Sequence, residues 1–121
     1  MKIYIGHSRG FDFENELYKP IRDSDKLREF EIILPHENGA AGQNAREFYS
    51  DIDIFIAEIS YPATGLGIEL GWASDSNVPI FCISKTGTKT SSSLQTVSQN
   101  FREYNSEDEL TDAIIAIIES K

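Results

Sequence analysis

The residues best suited to chemistry lie in one segment, Ser60-Tyr61-Pro62-Ala63-Thr64-Gly65-Leu66-Gly67-Ile68-Glu69-Leu70-Gly71-Trp72-Ala73. Gly65 and Gly67 strip side chains from a turn, which lets a ligand approach the backbone closely. Glu69 follows two residues later. The spacing predicts a helix opening at Gly65, with Glu69 in its first turn. There the positive helix end and unbonded N–H groups keep a carboxylate ionised. An ionised carboxylate at the rim of a sheet suits a nucleophile, or a group that stabilises developing positive charge. A glutamate kept only for helix stability is the competing reading. The G-x-G turn is not a dinucleotide fingerprint, because the third glycine and the strand-one location are both missing.

The elements that must position this segment alternate in type. Ile3-Tyr4-Ile5 reads as a first strand ended by Gly6. Asp12 can cap a helix in which Phe13, Leu17 and Ile21 recur at helical spacing, with Pro20 kinking or shortening it. Glu31 to Leu34 is a second strand, ended by Pro35. Glu37 to Gln43 reads as a loop and Asn44 to Ser50 as a short helix. Ile52 to Ile59 is the most apolar run, as expected of a central strand covered on both faces. A helix over Gly65 to Ser76 and a strand over Pro79 to Ser84 follow. A polar loop over Lys85 to Thr90, a short helix over Ser91 to Ser98 and a strand over Phe101 to Tyr104 come next. Ser106 with Glu109 fits a capping box. Leu110, Ile114, Ile117 and Ile118 form the apolar stripe of a last helix.

Strands alternating with helices imply βαβ units and a parallel sheet. Right-handed crossovers then place helices on both faces. The prediction is one α/β domain over residues 1–121, a three-layer, flavodoxin-like (Rossmann-like) sandwich with five parallel strands in the order 2-1-3-4-5. Ligands in such folds bind beyond the carboxyl ends of the strands. The residues expected there are Gly6 to Gly10, Ser60 to Gly67, and Ser84 onward. Trp72 reads as a core or interface aromatic.

Composition narrows the partners. Eleven Lys+Arg against twenty Asp+Glu give a net charge of −9, so a polymeric nucleic acid would be repelled by most of the surface. A small anion can still bind where local donors converge. No apolar stretch approaches a membrane span. The first residues are too short for a signal sequence, and a cytoplasmic, reducing setting is the expectation. The single cysteine, Cys82, lies in an apolar run and reads as a buried thiol. His7 and His36 lack a matching third ligand for zinc. No P-loop or nucleophile elbow is present, so no metal and no cofactor is expected.

Tyr4-Ile5-Gly6 on the first strand, together with Ala57-Glu58-Ile59-Ser60 and the run from Gly65 to Ala73, resembles the nucleoside 2-deoxyribosyltransferase family. In size the chain is most similar to the 2'-deoxynucleoside 5'-phosphate N-hydrolase branch. The resemblance implies cleavage of the base–sugar bond of a nucleoside or its 5'-monophosphate. Glu69 corresponds to the nucleophile that attacks the anomeric carbon, and Tyr4 to the tyrosine that orients it. The transition state of such a reaction is oxocarbenium-like, and a close carboxylate stabilises it. Gly6-His7-Ser8-Arg9-Gly10 resembles the loop that holds a 5'-phosphate. There Arg9 would offer a bidentate fork, Ser8 a hydroxyl and His7 a switchable donor. Ser91-Ser92-Ser93 resembles a downstream phosphate-binding serine, at Ser92, before a helix. A neighbouring subunit often completes the pocket, so a homodimer is expected on the resemblance alone.

Two positions depart from the family pattern. Six residues before Glu69 the family carries Ser or Asp. This chain has Ala63, with Thr64 beside it as a substitute. The family's aspartate on the helix before the central strand falls on or near Ala45, and no carboxylate replaces it. Glu47 faces away by register, while Asp51 and Asp53 belong at the opposite end of the sheet. His36 or Glu37, after the second strand, stands at the correct edge to supply a proton. A non-catalytic nucleotide-binding module of the same fold is the alternative function. A flavodoxin-like interaction domain without a small-molecule site is a weaker third.

Overall fold

The computed structural model describes residues 1–39 and 46–121. The expected positions Gln43, Asn44 and Ala45 therefore lie outside the described residues. Five strands form one parallel sheet: β1 (Lys2–His7), β2 (Glu31–Ile33), β3 (Ile54–Glu58), β4 (Ile80–Lys85) and β5 (Phe101–Tyr104). Their order is β2-β1-β3-β4-β5. Every neighbouring pair is parallel. This is the predicted α/β flavodoxin-like arrangement. Its helices are α1 (Lys19–Asp23), α2 (Thr64–Asp75) and α3 (Glu107–Glu119).

The alternation of side chains along each strand divides the core into two layers. On one face Ile3, Ile5, Ile54, Ile56 and Ile83 pack with Leu17 and Ile21 and with the stripe Leu110, Ile114, Ile117 and Ile118 of α3. On the other, Tyr4, Phe55, Ala57, Ile80 and Cys82 pack with Tyr49 and with Leu66, Leu70 and Ala73 of α2. β1 and β3 are therefore apolar on both faces, as central parallel strands must be. Cys82 is buried, and burial pushes its thiol up to about 11.

Gly6 sits at a close approach between layers. A methyl group there would lie 2.7 Å from the Phe55 ring and 2.9 Å from Leu66. The glycine thus lets α2 settle against β1, and packing alone accounts for its missing side chain.

Several element boundaries differ from the sequence reading for local reasons. The first helix is split. Residues Glu14–Tyr18 form a wide π-type turn in which the Lys19 N–H reaches back to the Glu14 carbonyl. Pro20 then occupies the first turn of α1, the one helical location where its missing N–H costs nothing. The expected helices after Asn44 and Ser91 are 3₁₀ turns, Arg46–Asp51 and Ser92–Thr96. β2 stops at Ile33, a residue short of the expected Leu34. α3 is capped as predicted: Ser106 Oγ accepts from the Glu109 N–H at 3.1 Å. The return bond of Glu109 goes to the Asn105 N–H at 2.9 Å, one residue earlier than a standard capping box.

Candidate active site

α2 begins at Thr64, behind Ala63, which has extended backbone and gives no side-chain cap. Glu69 is therefore the sixth residue of the helix and lies in its second turn. That corrects the first-turn placement. Unbonded N–H groups belong only to the first turn, so something else must hold the carboxylate.

Two phenols do. Tyr4, from β1, and Tyr49, from the 3₁₀ turn before β3, both donate to Oε2 of Glu69, the Tyr49 bond being 2.6 Å long. Tyr4 is wholly buried and Tyr49 nearly so. Burial first, and then the Glu69 charge beside it, push the Tyr4 hydroxyl far above the ordinary phenol range. It remains a donor at any physiological pH. The ring of Tyr4 is fixed edge-on by Phe48, Tyr49 and Phe55 at centroid distances of 5.6, 5.6 and 5.0 Å. Trp72 backs Tyr49 at 5.8 Å. Among the described residues no group bonds Oε1 of Glu69. The carboxylate is thus aimed through one of its two oxygens.

Tyr49 was not singled out from sequence. An aromatic pair, Phe48-Tyr49, just before an apolar strand reads as core. Nothing in its spacing reveals that the hydroxyl reaches a helix twenty residues later.

The loop after β1 is built around His7 and Ser8, both buried. His7 Nδ1 donates to the Ser8 carbonyl at 2.7 Å, which leaves Nε2 to accept from the Tyr18 hydroxyl at 2.6 Å. Burial lowers the imidazole to about 4, so the ring is neutral and both nitrogens are engaged. Its observed contacts are internal. Ser8 Oγ accepts from the Gly10 N–H at 2.9 Å, closing a tight turn and leaving its own proton to give. Arg9 beside it is exposed.

Gly65 and Gly67 have open space where a side chain would project. Thr64 and Gly67 line a cavity of about 360 Å³ with Lys89, Ser91 and Ser93, between α2 and the turn after β4. Ser92 faces elsewhere. It lines a depression with Ser84, Arg102 and Glu103 at the ends of β4 and β5.

The other carboxylates near this edge are occupied. Glu37 takes both arms of Arg22, at 2.6 and 2.9 Å, and the bonded guanidinium holds its carboxyl below the usual range. Glu58, on the face of β3 opposite Tyr4, is wholly buried. It accepts from the Ser60 N–H at 2.6 Å, from Ser60 Oγ at 3.0 Å and from the Tyr104 hydroxyl. Ser60 Oγ in turn accepts from the Lys85 N–H at 2.8 Å. This network ties the ends of β3, β4 and β5 together and sets the exit of the chain toward α2. Beyond it, Phe11 stacks on Tyr61 at 4.7 Å, and Lys85 bonds both the Tyr61 hydroxyl, at 2.9 Å, and Glu16. Asp53 receives the Lys2 N–H at 2.7 Å, at the amino end of the sheet and so away from the site. Among the described residues no group of three or more His, Cys, Asp and Glu could hold a metal ion, and no helix is long and apolar enough to cross a membrane.

No protein-family model matches the chain, and no curated protein matches it in sequence. Solved structures share its fold. The CMP N-glycosidase BcmB of Clostridium botulinum superimposes with a TM-score of 0.65 at 20% identity, over 94% of this chain and 98% of its own. A conserved protein from Enterococcus faecalis V583 gives 0.61 at 18% identity, over 97% and 98%. The likeness therefore extends along both whole chains and defines the class as a single-domain parallel α/β sandwich. One solved member of that class is a nucleotide N-glycosidase.

Proposed function

We propose that the protein is an N-glycosidase that cleaves the base–sugar bond of a nucleoside or its 5'-monophosphate, with Glu69 as nucleophile. The observation that carries this reading is the shared bond of Tyr4 and Tyr49 to one oxygen of Glu69, which leaves the other oxygen for the anomeric carbon. A glutamate kept only for its helix would need no such pair of buried donors. The fold neighbour that acts on CMP supports the substrate class.

In the first step Oε1 of Glu69 bonds the anomeric carbon while the C–N bond breaks and its electron pair leaves with the base. The ionised carboxylate stabilises the oxocarbenium-like transition state before the bond is complete. In the second step water attacks the same carbon and the ester bond to Glu69 breaks. Two displacements give net retention. Ser8 and Arg9 hold the 5'-phosphate, Ser8 with its unspent hydroxyl proton and Arg9 with its guanidinium fork. Thr64, Gly65 and Gly67 line the approach at the start of α2. His7 shapes this loop from beneath through Ser8 and Tyr18. Hydrolysis is preferred to base exchange, because this loop suits a phosphate.

The test is release of free base from a panel of ribo- and deoxyribonucleotides, CMP included, by wild type and Glu69→Gln. Release by wild type that falls to background in the variant supports the reading. Binding without release, unchanged by the substitution, supports the non-catalytic module instead.

A further inference from the structure

The chain carries a net charge of −9, yet residues 76–102 contain no Asp or Glu and three cations, Lys85, Lys89 and Arg102. This stretch runs from the end of α2 through β4 and the 3₁₀ turn into β5. Lys85 is committed to Glu16 and to the Tyr61 hydroxyl. Of the arginines, Arg22, Arg28 and Arg46 each pair with a carboxylate. Arg102 and Lys89 are exposed and have no acidic partner among the described residues. A local excess of unpaired positive charge on an acidic protein marks where an anion can settle.

A cavity of about 430 Å³ lies beside Arg102, lined also by Ser84, Thr88, Thr90 and Ser92. Strand alternation explains how Ser84 comes to line it. Cys82 belongs to the α2 layer and Ile83 to the α3 layer, so Ser84 returns to the α2 side. It stands beyond the last apolar residue of that face, opposite Glu103 of β5 in the register. Ser84 is only 7% exposed. Its hydroxyl has no hydrogen-bond partner among the described residues. Buried polar groups are rarely left so. The chain beyond β4 turns back tightly: the Thr88 N–H donates to the Lys85 carbonyl at 3.1 Å, with Gly87 at a φ of 84°. That turn brings Thr88 and Thr90 over Ser84. Glu103 is the one acid among the described lining residues, and its carboxylate accepts from the Gly87 N–H at 3.4 Å.

We propose that this cavity at the ends of β4 and β5 is a phosphate-binding site, with Ser84 and Arg102 as its anchors, and that it is independent of Ser8 and Arg9. The guanidinium gives two N–H groups in a fork that matches a phosphate edge. The Ser84 hydroxyl gives a third donor from the floor, and Thr88 and Thr90 give further hydroxyls from the side. A carboxylate, with two oxygens, would leave some of these donors idle, whereas a phosphate has oxygens for all of them. The site stands without the N-glycosidase reading, since no step of base release is needed to fill it.

The test is a titration of the full chain with inorganic phosphate and, separately, with ribose 5-phosphate at constant ionic strength, followed by amide chemical shifts. Saturable shifts are expected at Ser84, Gly87, Thr88 and Arg102. Arg102→Met weakens that response at least about tenfold and Ser84→Ala about fivefold or more. The spectrum of each variant shows directly whether it is folded, and two variants at separate positions guard against the loss of one. Arg9→Met leaves the response at Ser84 and Arg102 in place. Tighter binding of ribose 5-phosphate identifies a phosphomonoester as the ligand, and equal binding identifies the free ion. Either supports the site. Shifts that do not saturate, that survive both substitutions, or that vanish with Arg9→Met overturn it. Base release is not measured, so the outcome leaves the reading of Glu69 untouched.

Discussion

Tyr4 and Tyr49 donate to the same oxygen of Glu69, one from the first strand and one from the turn before the third. Their rings meet edge-on at 5.6 Å. The carboxylate they hold stands in the second turn of α2, where the helix backbone is already bonded and offers it nothing.

Removing either hydroxyl loosens the aim of the carboxylate. A hydrogen bond to a charged group contributes about 1.5–3 kcal/mol. Tyr4→Phe and Tyr49→Phe are each expected to lower kcat/KM for base release by about tenfold to a hundredfold. Because both bonds end on one atom, the double variant will depart from the product of the single losses by more than about twofold. A double-mutant cycle in kcat/KM measures this. Strictly independent effects would show that the shared oxygen is not a unit.

His7 predicts how stability depends on pH. Its folded-state value is about 4, against an ordinary value of 6.5. The unfolded chain therefore takes up the proton first as pH falls. The contribution is complete above about pH 6.5 and is lost as pH drops toward 4. Its size is about 3 kcal/mol at 1.36 kcal/mol per unit. Urea midpoints measured from pH 7 to 4.5 will fall steeply for wild type and less steeply for His7→Gln. Parallel curves would contradict the engaged, neutral ring.

Ala63 caps α2 with a methyl group. Replacing a poor N-cap by serine restores an acceptor for a first-turn N–H, typically about 1 kcal/mol. Ala63→Ser is expected to raise the melting temperature by a few degrees. No rise would mean that the first-turn N–H groups already have partners.

Gly6→Ala tests the approach of α2 to β1. A methyl group would enter the space of Phe55 and Leu66, and overpacking of this kind costs about 1–3 kcal/mol. Chemical denaturation of the two forms checks it. An unchanged midpoint would mean that the two layers can part without cost.

Much of the fold was legible in the sequence because it rests on local pattern. Alternating apolar runs and helical stripes gave the parallel sheet, its strand order and the buried stripe of α3, and the Ser106 cap fell where its spacing put it. The boundaries that moved did so for reasons the pattern does not encode. Pro20 could have kinked a helix, but a π-type turn ahead of it absorbed the misfit. Of the candidate site, the pairing of Tyr4 with Glu69 was foreseen through a family resemblance, and its chemical basis needed coordinates. Tyr49 reaches Glu69 by tertiary packing alone. Glu37 and His36 are neighbours that the sequence could not separate. Arg22, fifteen residues earlier, occupies one and leaves the other.

The central claim is a covalent bond at Glu69, and trapping tests it most directly. A 2-fluoro-arabinosyl nucleotide of a base that wild type releases slows the second displacement. Mass spectrometry of digested protein then locates the sugar phosphate. The account predicts an added sugar phosphate on the peptide bearing Glu69, and none in Glu69→Gln. Steady base release with no adduct there, or an adduct on another residue, would contradict it.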